Sequence, residues 1–266
     1  MMVAKGKVIR GTREWAVVNI DCCTGCPHDC RYCYARYDAV EKRGLLSTAD
    51  WRECRVRSED VERIQPLYPG QVMFPTTHDI LPENLDACIK VIDHLLRAGN
   101  RVLVVSKPHL DCVQELCRVF TSRKENLLFR FTITARDPEL LSFWEPGAPV
   151  YSERKASLSH AFNKGFQTSV SVEPMLDTAD VVEMAHELLP YVTHSIWLGT
   201  MNKIDKRVRI DSDEVVRQVE RIRAGQDDLV IQRIYQQLYR EPLVRWKESI
   251  KIIMGLQLAK KPGTDT

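Results

Sequence analysis

Apolar residues recur along this chain in short blocks separated by longer amphipathic stretches. Residues 15–20 (Trp15, Ala16, Val17, Val18, Asn19, Ile20), 71–74, 101–106, 128–134, 167–173 and 195–198 have the length and side-chain content of β-strands. Pro75 closes the second block and Lys107-Pro108 the third, because proline lacks the N–H that a strand ladder uses. Between blocks, apolar positions return every three to four residues over 83–98, 110–122 and 211–224, which predicts helices. Gly99 ends the first, and acidic residues open the last, as a helix N-terminus prefers. Further helices are expected over 34–42, stopped by Gly44, and over 242–255. Residues 1–14 read as an irregular lead-in. The charged stretch 48–62 reads as irregular structure with a short helix, a candidate lid.

Six strands alternating with helices predict an α/β fold with a parallel sheet and right-handed crossovers. Within the fourth strand, Phe129, Phe131 and Ile133 share one face, and Arg130, Thr132 and Thr134 the other. In the fifth, Thr168, Val170 and Val172 oppose Gln167, Ser169, Ser171 and Glu173. A closed eight-stranded barrel fills its interior with branched apolar side chains. Two neighbouring strands with polar inner faces instead predict a partial (β/α)6 TIM-like barrel with a wetter lumen. The alternative, an open sheet turning these faces to solvent, is disfavoured because parallel sheets are seldom bare on one face. Ligands then belong at the C-terminal strand ends. There the sequence places Thr76, Thr77, His78 and Asp79, then Ser106 and Lys107, Thr134 and Arg136, Glu173, and Thr200, Asn202 and Lys203. No Gly/Ser linker or low-complexity stretch divides the chain, so 1–266 reads as one domain with a C-terminal helical extension.

Composition adds limits. With 38 Lys plus Arg against 36 Asp plus Glu, the formal charge of +2 carries no global signature of a nucleic-acid or membrane partner. Nucleic acid stays possible without being indicated by charge. No apolar run approaches the roughly 18 residues of a membrane span. Nine cysteines, an odd number, and a basic start without an apolar signal core point to a reducing, cytoplasmic setting.

The cysteines are uneven: five fall between Cys22 and Cys33, while Cys54, Cys88, Cys112 and Cys117 are scattered. Cys88 sits in a helical pattern and reads as a small core hydrophobe. Directly after the first strand comes Gly25-Cys26-Pro27-His28-Asp29-Cys30-Arg31-Tyr32-Cys33-Tyr34-Ala35-Arg36. Gly25 and Pro27 supply bends that let one short loop turn three thiols inward. Three protein ligands leave one iron of a cubane open, whereas an electron carrier normally uses four. A zinc site, including one that adds His28, stays open at this point, although zinc usually takes two well-separated cysteine pairs. Cys22 and Cys23 are expected to pack beside the site or support it, with a second cluster as the other reading.

The string from Gly25 to Arg36 resembles the cluster motif of the radical S-adenosylmethionine (SAM) superfamily, in particular its spore photoproduct lyase-like branch. The resemblance implies a 4Fe-4S cluster on Cys26, Cys30 and Cys33, with SAM chelated at the open iron. Reductive cleavage of SAM would then give a 5′-deoxyadenosyl radical that takes a hydrogen atom from an unidentified substrate. The electron would come from a flavodoxin or ferredoxin-type reductant. By the same resemblance the loop after strand two meets the SAM amino group. The usual glutamate is absent there, which leaves Thr76 and Thr77. Lys107 and Arg154 are the candidate cations for the carboxylate, Arg154 because the segment from Glu145 to Arg154 resembles one that opens a helix in this branch; a guanidinium suits a carboxylate. Thr132 and Thr134 are placed to meet the ribose, and Ser106, Ser171, Glu173 and Asn202 complete the expected cofactor pocket. A DNA-repair lyase is one alternative, but the repair family's cysteine near the end of strand two has no counterpart in Pro75-Thr76-Thr77-His78-Asp79. A non-catalytic iron-sulfur or zinc protein is the other.

Overall fold

A computed structural model describes residues 8–264. Seven strands form one parallel sheet in strict sequence order: β1 (Val18–Asn19), β2 (Val72–Phe74), β3 (Val102–Ser106), β4 (Leu127–Thr132), β5 (Gln167–Val172), β6 (Ser195–Leu198) and β7 (Val244–Trp246). Helical crossovers connect them from β2 onward: α1 (Leu85–Arg97), α2 (Leu110–Phe120), α3 (Pro138–Trp144), α4 (Tyr151–Asn163), α5 (Val181–Leu188), α6 (Asp213–Gly225) and α7 (Asp228–Leu238), with α8 (Glu248–Ile253) after β7. The helix expected over 242–255 is therefore a correction: it is a seventh strand followed by a short helix. Three residues show no period of their own. Val244 and Trp246 become a strand because they pair with Ile196 and Leu198.

Alternation within the strands sorts the two faces. Val72, Phe74, Val104, Phe129, Phe131, Val170 and Val172 point outward into one core with the apolar stripes of the helices, such as Val91, Ile92 and Leu95 of α1 and Val113, Leu116 and Phe120 of α2. Burying each such large side chain contributes about 1.5–3 kcal/mol. Met73, Leu103, Leu128 and Trp197 point the other way and join Trp15 and Ala16 in a separate inner cluster. Trp15 meets Trp197 edge-on at 5.7 Å, and Arg130 is wholly buried with its guanidinium 4.4 Å from the Trp15 ring. The expected wet lumen is thus corrected in its lower half, which aromatic rings fill. The polar positions Thr132, Ser171 and Glu173 lie above it on the same face.

The sheet curls until its ends meet through side chains. Lys247, just past β7, reaches Glu14, just before β1, at 2.7 Å, and donates to the Gly11 carbonyl at 3.0 Å. The backbone N–H of Glu248 donates to Glu14 at 3.0 Å. Among the described residues no ladder joins β1 to β7, so the barrel is partial.

The stretch 48–62 is not a free lid. Arg55–Val56 pairs antiparallel with Cys23–Thr24, flanked by single helical turns at Thr48–Trp51 and Ser58–Val61. The Cys26 N–H donates to the Trp51 carbonyl at 2.7 Å, which makes the segment a strap behind the cysteine loop. The helix expected over 34–42 is an α-turn at Tyr34–Arg36 that widens into a π-helix over Tyr37–Lys42. No helix among the described residues is long and apolar enough to cross a membrane.

Candidate metal centre at the barrel mouth

The cysteine loop leaves the C-terminal end of β1 and lies over the mouth. Two glycines are required by close approach. Gly25 has φ +83°, and a Cβ there would sit 2.0 Å from the Glu53 carbonyl oxygen. At Gly147 a Cβ would sit 2.2 Å from the Pro27 carbonyl oxygen. The loop is also tied to the end of α3: the Arg31 N–H donates to the Trp144 carbonyl at 2.9 Å and the Gly147 N–H to the His28 carbonyl at 3.1 Å. Cys30 and Tyr32 pack beside Trp144, Leu140 and Leu141, and Cys26 beside Ala35, Ala39 and Trp51.

Cys26 and Cys30 are buried and Cys33 partly so. The three are close enough for each thiol's charge to raise that of its neighbours. Burial pushes all three thiols above their ordinary range, and Cys33 gains a stabilising backbone donor, the Arg36 N–H at 3.4 Å. Thiols so placed become thiolates when a metal supplies the compensating charge. Ligand atoms of Cys26, His28 and Asp79 lie within 4.8 Å of one another, whereas Cys26, Cys30 and Cys33 do not form such a set. A tetrahedral zinc ion holds thiolates about 3.8 Å apart. A cubane spreads them over several irons, so the three thiols suit a cluster.

His28 and Asp79 are bonded to each other beside Cys26. The Asp79 carboxylate accepts from His28 Nδ1 at 2.7 Å, from Ser106 Oγ at 3.0 Å and from the Lys107 N–H at 2.7 Å, with the Cys26 thiol at 3.9 Å. Burial would raise its pKa, but Lys107 and His28 hold it far below the usual carboxylate range. Lys107 is opposite in sign: burial lowers its pKa, and Cys30, Tyr32, Asp79 and Glu145 together hold it well above normal. A permanent cation therefore sits beside the thiols. His28 Nε2 continues to His109 Nε2 at 3.0 Å.

A second buried anchor holds Tyr32, between the last two cysteines. Its hydroxyl donates to Glu145, which also accepts from Thr134 Oγ1 at 2.8 Å. Arg154 meets the other Glu145 oxygen at 2.5 Å, with both side chains fully buried, and its Nε donates to the Pro149 carbonyl at 2.6 Å. Arg154 therefore does not face the mouth as the sequence led us to expect; its guanidinium positions Glu145. Thr134 is likewise drawn away from a ribose.

The other expected residues fall as follows. The N–H groups of Thr76 and Thr77 donate to Asp21 Oδ1 at 2.6 and 2.7 Å, and the Thr76 hydroxyl to its other oxygen. Their backbone is clamped at the mouth, and the Thr76 carbonyl accepts from Tyr34 OH. Ser106 donates to Asp79 and accepts from the Ile80 N–H at 3.0 Å, so it is structural. Thr132 and Ser171 pair in register on the inner face. Glu173 lies 3.4 Å from Lys247, and burial raises its pKa against that cation. Asn202 is half-buried in the turn after β6. Arg207 was missed. Its guanidinium lies 5.8 Å from the Tyr34 ring, and burial depresses its pKa while Glu173 and Cys33 counteract. Lone arginines in charged loops carry no sequence signal, so only the fold brings this one to the thiols.

The fold and site together define a partial α/β barrel whose mouth carries a three-cysteine loop. No family model and no curated protein matches the sequence. Among solved structures, a spore photoproduct lyase variant with bound AdoMet and dinucleoside spore photoproduct aligns with TM-score 0.56 and 16% identity over 86% of this chain and 75% of that one. Spore photoproduct lyase complexed with dinucleoside spore photoproduct aligns with TM-score 0.56 and 16% identity over 91% and 79%. SuiB of Streptococcus suis bound to S-adenosylmethionine gives 0.54 and 8% over 93% of this chain and 54% of that one. The chain has their fold.

Proposed function

We propose that this chain is a radical SAM enzyme that binds a 4Fe-4S cluster on Cys26, Cys30 and Cys33. The observation that carries the reading is the trio itself: three buried thiols on one bend at the barrel mouth, mutually close yet too far apart for a single ion, on a fold shared with structures that hold AdoMet. When bound, such a cluster delivers one electron, from a flavodoxin- or ferredoxin-type donor, to cleave SAM.

The chain's own residues prepare the site. Lys107 offsets the thiolate charge, and Asp79 fixes Lys107 and His28 in place. Glu145, held by Arg154, fixes Tyr32 between two ligands. The Thr76 carbonyl, clamped through Asp21, is an acceptor suited to the SAM ammonium. Arg207 replaces Arg154 as the cation for the SAM carboxylate, because it faces Cys33 while Arg154 is enclosed. Thr132, Ser171 and Glu173 line the face below and suit the ribose. The loop 75–79 has no thiol for hydrogen return, so photoproduct repair stands second to a radical reaction on an unidentified substrate.

The test is anaerobic reconstitution followed by dithionite and SAM. Release of 5′-deoxyadenosine supports the reading; a loaded cluster that leaves SAM intact refutes it.

A further inference from the structure

Behind the cysteine loop lies a second group of sulfur ligands. Cys22, Cys23 and His78 are all buried, and their ligand atoms lie within 4.8 Å of one another. The Cys22 and Cys23 sulfurs are 3.8 Å apart, and Cys22 Sγ is 3.9 Å from His78 Nε2. Two thiolates at about 2.3 Å from a tetrahedral zinc ion are separated by about 3.8 Å, so the first edge already has the required length. Cys88, in the first turn of α1 and fully buried, lies beside this group, with its thiol donating to Asn84 Oδ1 at 3.4 Å.

The histidine is oriented for coordination. His78 Nδ1 lies 3.1 Å from the Asp79 carbonyl oxygen. A carbonyl only accepts, so Nδ1 carries the proton and Nε2 turns its lone pair toward the sulfurs. This is the arrangement in which a metal-bound histidine donates its other N–H to a backbone carbonyl. The Cys22 N–H shares the lone pair at 3.3 Å. Arg57 adds positive charge near Cys22 and donates to the Asp21 carbonyl at 3.0 Å. The three side chains come from two separate segments: the approach to the cysteine loop and the loop after β2.

We infer that Cys22, Cys23 and His78 form a second metal site, a buried two-cysteine, one-histidine site for a zinc ion, distinct from Cys26, Cys30 and Cys33. Its role is to cross-link the approach to the mouth to the loop after β2. Packing alone would bury thiols but would not need a histidine nitrogen within 4.8 Å of two of them. Cys54 and Cys88 stay outside the ligand set; the Cys54 sulfur accepts from Asn84 Nδ2 at 3.2 Å and the Cys88 thiol donates to Asn84 Oδ1 at 3.4 Å.

The inference does not depend on the function proposed for the mouth, and its test is metal content. Purified full-length chain is assayed for zinc beside iron, and zinc is exchanged for cobalt(II). The expected result is about one zinc per chain, thiolate-to-cobalt charge-transfer bands with intense tetrahedral d–d bands, and full zinc content when Cys26, Cys30 and Cys33 are all replaced by alanine. Cys22→Ser and His78→Ala are expected to lose most of the zinc, and Cys117→Ser to keep it. The cobalt measurement uses the unaltered chain, so poor folding of a variant does not blunt the test. Absence of both zinc and cobalt uptake overturns the inference. So does zinc that persists in Cys22→Ser and His78→Ala but disappears with the Cys26, Cys30 and Cys33 replacements.

Discussion

Replacing Arg154 by methionine isolates one buried interaction with two readouts. The guanidinium and the Glu145 carboxylate are fully enclosed and 2.5 Å apart. Methionine keeps the stem volume but strands the carboxylate, with only Tyr32, Thr134 and the Lys107 field to support it. Breaking a buried pair by removing one partner costs about 3–5 kcal/mol. The pH dependence has a definite sign. Burial raises the Glu145 pKa, but Arg154, Lys107, Tyr32 and Thr134 outweigh it and hold the carboxyl below its usual range, so in the parent it adds stability that is lost as pH falls through the depressed value. Without Arg154 burial prevails and the pKa moves above the unfolded value of 4.5. The Arg154→Met deficit is therefore full near neutrality and shrinks as pH falls toward that value. Urea unfolding at pH 7 and pH 5, with iron content after reconstitution, measures both. Arg154→Met/Glu145→Gln should recover part of the loss, since the stranded charge is gone. A single-variant deficit under about 1 kcal/mol, or a double variant as unstable as the sum of the singles, refutes the argument.

Gly25→Ala and Gly147→Ala each force a Cβ onto a backbone carbonyl at 2.0 and 2.2 Å; overpacking of this kind costs about 1–3 kcal/mol, and iron bound per chain should fall in both, whereas Gly44→Ala, where a Cβ meets nothing, should keep its iron. Asp79→Asn removes a carboxylate whose pKa Lys107 and His28 depress against burial. The parent's stability should therefore decline as pH falls below about 3.8, the unfolded value, and the variant's acid unfolding curve should be flatter there; identical slopes would show that Asp79 is not held as described. Arg207→Met should weaken SAM binding about tenfold or more, the worth of a charge-assisted hydrogen bond, with iron content unchanged. Equilibrium dialysis with the reconstituted protein decides it, and loss of iron instead would make Arg207 a loop residue.

The sheet was legible because β2 to β6 are apolar blocks ended by proline or polar residues. β7 was not, since its three residues gain strand character only by pairing with β6. That Cys26, Cys30 and Cys33 share one bend followed from their spacing. The supports of that bend did not. The bonds of Asp79 to His28, Asp21 to Thr76 and Glu145 to Tyr32 span 51, 55 and 113 positions of sequence, and no local pattern marks such a partnership. Arg154 shows the limit from the other side: its helix was located correctly, but which face of the helix met Glu145 required the packed chain. Cys22 and Cys23 read as packing or supporting residues because they lie beside the first site, and their approach to His78, 55 positions beyond Cys23, had no local mark.

The edge-on rings of Trp15 and Trp197, with Met73, Leu103 and Leu128 around them, close the floor of the barrel. On the function proposed above, a cofactor and a substrate would both pass the rim where the cysteines stand, and the one seated deeper would arrive first and depart last. Order of binding would then be a property of the floor, not of the rim.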